Sequence, residues 1–176
     1  MNERYEGLKA SAGVAIGTLF LFNREEISIS DRKINENEKE EEFSKVKEAI
    51  KSYVEKLDGK ENSTEAEANI AAAHKELLQD PYFTDTIESK IKNESKNSEA
   101  ALDETVNEMV EIMGQLDDDY LKERASDYKD IGMQVMYALK GITPKDLSNI
   151  DENSIVISNE LTPSDTSNMD LSLIHI

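Results

Sequence analysis

Apolar residues at positions 43–57 recur at steps of three and four, and this period limits what the chain can fold into. The residues on this face are Phe43, Val46, Ile50, Val54 and Leu57. The Glu and Lys residues between them fall on the opposite, solvated face of a helix. Glycine at position 59 is placed to end such a helix. The sequence therefore predicts one long amphipathic helix that starts after residue 33 and ends near Gly59.

Further helical segments follow. Thr64 and Glu67 have the spacing of a capping box, which predicts the start of a second helix. This helix runs to about Ile91 with a break at Asp80-Pro81, because proline disfavours helical geometry in the residue before it. A third and a fourth helix are marked by Val106, Met109, Val110, Met113 and Leu116, then by Leu121, Ala125, Tyr128, Ile131, Val135, Met136 and Leu139 before Gly141. Four antiparallel helices with short connections are predicted to form a bundle.

Strand-like segments flank the helices. Residues 14–22 are dense in apolar and β-branched side chains and predict one or two short buried strands broken at Gly17. Residues 27–29 form a possible edge strand, and residues 154–158 predict a returning strand. Nothing after Thr162 is long enough to complete the sheet, which would leave exposed edges. The expected fold class is α+β, with a four-helix bundle inserted into an incomplete α/β domain.

The expected boundaries follow from these changes of pattern. Residues 1–32 form the first part of the α/β domain, residues 33–142 form the bundle, and residues 143–176 return to the α/β domain.

Charge narrows the function classes. The chain has 38 acidic and 20 basic residues, a formal net charge of −18. Nucleic acid and anionic membranes are repelled by such a chain, whereas a basic protein partner is attracted. No cysteine is present, so disulfides and thiolate metal sites are excluded. The longest apolar run is about half of a membrane span, and the first residues do not have the pattern of a secretory signal, so a cytoplasmic protein is expected.

Three segments, in the same order along the chain, resemble one known family. They are Ala-Ser-Ala-Gly-Val-Ala-Ile-Gly at 10–17, Leu-Asp-Asp-Asp-Tyr-Leu-Lys-Glu-Arg-Ala-Ser-Asp at 116–127 followed by Asp-Ile-Gly at 130–132, and Leu-Thr-Pro-Ser-Asp-Thr at 161–166. A weaker match is His74 with Leu-Leu-Gln-Asp-Pro at 77–81. Together they resemble phosphoenolpyruvate-protein phosphotransferase, enzyme I of the sugar phosphotransferase system. The family has proline where this chain has Ala12.

The resemblance implies an activity for the longer protein. Enzyme I takes phosphate from phosphoenolpyruvate onto a histidine of a mobile α/β domain and passes it to the carrier protein HPr, which docks on the helical bundle. Magnesium (Mg2+), phosphoenolpyruvate and the homodimer interface belong to a barrel domain further along the family's chain. No cofactor is expected in these 176 residues.

One departure from the family pattern removes the catalytic residue. In the family, Leu-Thr-Pro-Ser leads on to Gly-Gly-x-Thr-Ser-His, whose histidine carries the phosphate, and this chain has no Gly-Gly pair. His175 lacks that context near the end of the chain and is expected to be inert. The chain is therefore expected to be an amino-terminal fragment with no catalytic residue, inactive alone, that supplies HPr docking.

The family's docking face lies around the second-helix break and the start of the fourth helix. The equivalent residues here are Glu76, Leu77, Asp80, Phe83, Leu121 and Arg124. HPr presents its histidine beside basic residues, so the carboxylates would steer it toward the face. His74 is expected to be either a hydrogen-bonded, half-buried side chain or part of this face, and the charge run 38–42 is expected to be a solvated helix surface.

Two other functions remain open at this stage. The chain could be a self-sufficient acidic helical binding module that never carries phosphate. It could also be a structural bundle without a partner, although that hypothesis does not explain three ordered motifs.

Overall fold

The computed structural model describes residues 13–14, 16–24, 27–59, 64–115, 118–148, 150–151, 153–166 and 169. The chain divides into two compact units. Met1–Arg24 and Asp146–Ile176 form the first, here called the α/β unit, and Glu25–Lys145 forms the second, here called the helical unit. By this division residues 27–32, which the sequence analysis placed in the first part of the α/β domain, belong to the helical unit.

The described sheet of the α/β unit is a pair of parallel strands. Strand β1 (Thr18–Leu21) pairs with β2 (Ser154–Ile157), with Leu19 opposite Ile155 and Leu21 opposite Ile157. Side chains alternate along a strand, so these four apolar residues share one face, and that face is exposed. The returning strand is confirmed. The sequence predicted one or two buried strands at residues 14–22. The described structure has one strand there, β1, and it is exposed, because a pair of short strands has no second layer to cover its faces.

Close approach of the backbone explains the glycine before β1. A Cβ on Gly17 would collide with the carbonyl oxygen of Asn153 at the turn that leads into β2.

A second contact joins the two chain segments of the α/β unit. The Arg24 guanidinium forms an ion pair with Asp165 and donates to Thr162 Oγ1 at 3.0 Å. Asp165 in turn accepts from the Thr162 amide at 2.8 Å.

Over its described residues, the helical unit contains five α-helices, the first of which is preceded by a 3-10 turn at Glu36–Glu38. They are α1 (Lys39–Asp58), α2 (Glu65–Leu78), α3 (Pro81–Glu94), α4 (Ser98–Gly114) and α5 (Asp119–Lys140), and a short helical turn, α6 (Pro163–Thr166), lies in the α/β unit. Helix α5 packs against α4 and α1, α3 packs against α4 and α1, and α2 contacts α1, α5 and α3. The predicted bundle is thus confirmed, with its second helix divided into α2 and α3.

Local sequence signals set the helix ends as predicted. Thr64 Oγ1 accepts from the Glu67 amide at 3.3 Å, and the Glu67 carboxylate accepts from the Thr64 amide at 2.6 Å, which completes the capping box. Pro81 occupies the first position of α3, where its missing N–H costs no hydrogen bond. Gly141 has φ +63°, the left-handed conformation that ends a helix such as α5.

The buried face of α1 differs in detail from the prediction. Its buried residues are Glu42, Val46, Ala49 and Tyr53, while Phe43, Ile50, Val54 and Leu57 are only partly buried. Glu42 belongs to the charge run that the sequence assigned to a solvated surface, and that assignment is wrong for this residue.

The segment before α1 contains no strand at residues 27–30, so the possible edge strand is not found in the described structure. Instead the Ser30 amide donates to Glu99 Oε2 at 2.9 Å, and Lys33 forms an isolated antiparallel bridge with Lys96. None of the described helices is both long and apolar enough to cross a bilayer.

Candidate functional site

The charged residues of the predicted docking face lie around the break between α2 and α3. Asp80 is the N-cap of α3, and its Oδ1 accepts from the Tyr82 amide at 2.9 Å. Glu76, on the last turn of α2, is exposed, and its Oε2 lies 3.6 Å from Nη2 of Arg124 on α5. Residues far apart in sequence therefore meet at one surface because α5 packs beside the end of α2.

The charges of this surface act on the pKa of a buried tyrosine, Tyr128. Burial raises the pKa of Tyr128, the negative charge of Asp80 raises it further, and the Arg124 guanidinium lowers it. Both charges thus act on the same phenol. The Tyr128 ring also packs against Phe83, with ring centroids 5.8 Å apart. The charged side chains of Asp80 and Arg124 therefore lie near a buried aromatic pair formed by Phe83 and Tyr128.

The six predicted docking residues fall into two sets. Glu76 is exposed, and Asp80, Leu121 and Arg124 are partly exposed. Leu77 is buried and Phe83 is 0% exposed, and both belong to the hydrophobic core. The Phe83 ring is fully buried and offers no surface for a partner to contact as the chain is folded here. Contact between the other residues and a partner stays a prediction.

His74 lies beneath this surface and joins three helices. Its side chain is 1% exposed. Nδ1 lies 2.9 Å from the Tyr53 hydroxyl of α1, and Nε2 lies 4.0 Å from Asp130 Oδ2 of α5. Burial lowers the pKa of His74, while the charges of Asp130 and Asp127 oppose this effect. The imidazole is therefore a neutral core group, as the first of the two sequence hypotheses expected.

Among the described residues, no histidine is placed to accept a phosphoryl group. His74 has no exposed nitrogen to offer a phosphoryl donor, and His175 lies outside the described residues. Within the described ranges, no group of three or more histidine or carboxylate side chains is arranged to hold a metal ion.

Sequence reasoning missed Tyr82. It follows Pro81 on the first turn of α3, and its side chain is 59% exposed. The helical period across residues 77–91 identifies which residues are buried. It does not show whether Tyr82, the second residue of α3, points toward the core or toward solvent. The signal that could have found it is the adjacent Phe83, because neighbours on a helix point about 100° apart.

Two solved structures of Enzyme I proteins have a similar fold. The fold is similar to that of the solution NMR structure of Enzyme I (nEIt), which is 35% identical. That match has a TM-score of 0.76 and covers 93% of this chain and 68% of the other. The structure of the N-terminal domain of Enzyme 1 – Nitrogen shares the fold at a TM-score of 0.63 and 17% identity, covering 89% of this chain and 66% of that one.

Residues 6–124 match the family described as PEP-utilising enzyme, N-terminal. The phosphoenolpyruvate-protein phosphotransferase of Staphylococcus epidermidis is 34% identical over 96% of this chain, and that of Priestia megaterium is 30% identical over the same share. The chain belongs to the family of PEP-utilising enzymes, of which it has the N-terminal part. It spans about 30% of the length of these relatives.

Proposed function

We propose that this chain is the amino-terminal part of a phosphoenolpyruvate-protein phosphotransferase and that its helical unit docks the phosphocarrier protein HPr. The relatives that bear this name align with nearly the whole chain, which supports the assignment. The observation that carries the docking role is the surface at the α2–α3 break, where Glu76 lies 3.6 Å from Arg124 and the charges of Asp80 and Arg124 both act on Tyr128.

Charge supports a basic partner for this surface. The chain has a net charge of −18, and residues 76–89 include four carboxylates and no lysine or arginine. A partner with a basic rim would be steered toward this segment, and its association would slow as salt screens the attraction. Leu121 adds a partly exposed apolar contact on α5.

In the longer protein, the remaining steps belong to other segments. Phosphoenolpyruvate, Mg2+, the dimer interface and the phosphorylated histidine act outside these 176 residues, and the protein works in the cytoplasm. The α/β unit contributes the beginning of the domain that carries the phosphate. In-line phosphoryl transfer requires an accessible nucleophile held against the donor, and the buried His74 does not meet this requirement.

The test is calorimetric titration of the 176-residue chain with purified HPr. Arg124→Glu removes a guanidinium that lies 3.6 Å from Glu76 Oε2 and puts a like charge beside Glu76. Although the face becomes more acidic, the loss of the arginine contact and the displacement of Glu76 are expected to weaken binding by at least about tenfold. Lys51→Glu makes the same charge change on the exposed surface of α1 and is the matched control. Its affinity should stay near that of the unchanged chain.

Because Arg124 is mostly covered, a second variant guards against an effect on folding. Glu76 is well exposed, so Glu76→Lys should leave the helix content measured by circular dichroism unchanged while it weakens HPr binding. Equal affinities for the unchanged chain and both variants would contradict the proposed docking face. Absence of HPr binding by the unchanged chain would contradict the docking function itself.

A further inference from the structure

The docking face needs an exposed apolar centre, and the residues predicted to supply it are largely covered. Leu77 and Phe83 both lie in the core. Interfaces between proteins gain most of their affinity from a few large side chains near the centre, above all tyrosine, tryptophan and arginine. Among the described residues of the helical unit, the large apolar side chains that are well exposed are Ile29, Tyr82, Ile112 and Ile142. Tyr82 is the most exposed of them and the one aromatic.

Tyr82 is held by its backbone on both sides. Its amide donates to Asp80 Oδ1 at 2.9 Å, and its carbonyl accepts from Thr86 Oγ1 at 2.6 Å. Pro81 fixes the preceding φ, and Phe83 anchors the next position in the core. Since the first turn of α3 is pinned in this way, the ring is presented to solvent from a rigid support. Binding through it would cost little backbone ordering.

The surroundings of Tyr82 are acidic. The carboxylates nearest Tyr82 in sequence are Asp80 and Asp85, and residues 76–89 include no lysine or arginine. Two further carboxylates of this segment are paired, Glu76 with Arg124 at 3.6 Å and Glu88 with Lys92 at 2.6 Å. An aromatic ring in an acidic surface suits a partner that offers an apolar patch beside lysine or arginine. The ring can take the apolar contact and a cation over its face, while the carboxylates attract the other basic groups.

We propose that Tyr82 is the aromatic anchor of the docking surface and that it packs against the basic, phosphate-carrying surface of HPr. This inference rests on the proposed function and adds to it a contact residue that the family motifs did not supply. It also assigns Phe83 to the support of that anchor.

The experiment is a calorimetric titration of the 176-residue chain with purified HPr, which measures the affinity of the complex. Tyr82→Ala is expected to weaken binding by at least about tenfold, whereas Tyr82→Phe keeps the ring and should stay within about threefold of the unchanged chain. Ile142→Ala is the control, since Ile142 is also exposed (36%) but lies just beyond the last residue of α5, at the opposite end of that helix from Arg124. Its affinity should not change.

The outcomes separate the two proposals. If the unchanged chain binds HPr and Tyr82→Ala binds equally well, the anchor is refuted while docking stands. If the unchanged chain does not bind HPr, the docking function and the anchor both fail. Circular dichroism and thermal unfolding should show Tyr82→Ala folded like the unchanged chain, because its side chain makes little contact with the core. A loss of affinity is then attributable to the missing ring.

Discussion

Glu42 is the residue whose replacement gives the sharpest test of the fold. Its side chain is 4% exposed on α1, and Oε2 accepts from the Ser98 amide at 2.8 Å and from the Ser98 hydroxyl at 2.7 Å. Oε1 lies 3.2 Å from Nη2 of Arg32 and 3.0 Å from Nζ of Lys45. Asn97, the N-cap of α4, makes no side-chain capping bond. Glu42 thus caps α4 from a different helix and places a negative charge at its positive end.

The magnitude follows from the proton affinity of this carboxylate. Burial alone raises the pKa of Glu42, but hydrogen bonds from Ser98 and Lys45 outweigh it and lower the pKa from 4.5 to about 2. At about 1.4 kcal/mol for each tenfold change in proton binding, the charged form stabilises the folded state by about 3 kcal/mol at neutral pH. Glu42→Gln keeps the shape and one acceptor but loses the charge. We expect it to lower the free energy of unfolding by about 2 to 3 kcal/mol.

The sign of the pH dependence provides a second check. The pKa is lower in the folded state, so the stabilisation is present in full above pH 4.5 and is lost as the pH falls toward 2. Urea unfolding followed by circular dichroism should therefore show a difference between Glu42→Gln and the unchanged chain that shrinks to less than about half by pH 3. Glu41→Gln is the control, because Glu41 is exposed and its ion pair with Lys45, at 2.9 Å, is a surface pair of small energetic value. An unchanged stability of Glu42→Gln at pH 7, or a difference independent of pH, would refute the reasoning.

Two further predictions concern the core beneath the docking face. Phe83→Ala should lower the free energy of unfolding by about 3 to 5 kcal/mol in urea, because a fully buried ring leaves a cavity beside Tyr128; unchanged stability would contradict its core position. For His74 the folded state has the lower pKa, so stability should decline as the pH falls below 6.5, and His74→Gln should show a smaller decline in melting temperature between pH 7 and pH 5. An equal decline in both chains would show that another group is responsible.

The helix ends were predictable because the local signals are short in range. The capping pair Thr64 and Glu67, the proline after Asp80 and the glycine at 141 each act within one turn of the chain. Such signals need no knowledge of the remaining fold. The division of the second predicted helix into α2 and α3 follows from the same proline.

The burial of Glu42 was not predicted from composition, since a run of acidic residues on a helix is usually solvated. Its position does contain a signal, however. Glu42 precedes Val46, Ala49 and Tyr53 at steps of four, three and four, so it continues the buried face of α1 by one turn. What the sequence does not contain is the partner, because the amide of Ser98 reaches this carboxylate only through the packing of α1 near α4.

The exposure of the strands has a different cause. Residues 18–21 and 154–157 have the composition of buried strands, and their shared apolar face would be buried if another element covered it. Composition identifies a strand from its own residues, whereas burial depends on what packs over it. The exposure of this face was therefore not predictable from the composition of the two strands.

At the proposed docking face, effects on function and on stability are hard to separate, because one of its carboxylates also caps a helix. Asp80 caps α3 through the Tyr82 amide and is at the same time one of the carboxylates that would attract a basic partner. A change at Asp80 would loosen the first turn of α3 and reorient the exposed ring that the turn presents, so lost binding could have either origin. Glu76 and Tyr82 expose their side chains without capping a helix through them, and they isolate the contribution of charge from that of the aromatic ring. The energetics of docking should therefore be measured at these two positions, with Asp80 kept intact.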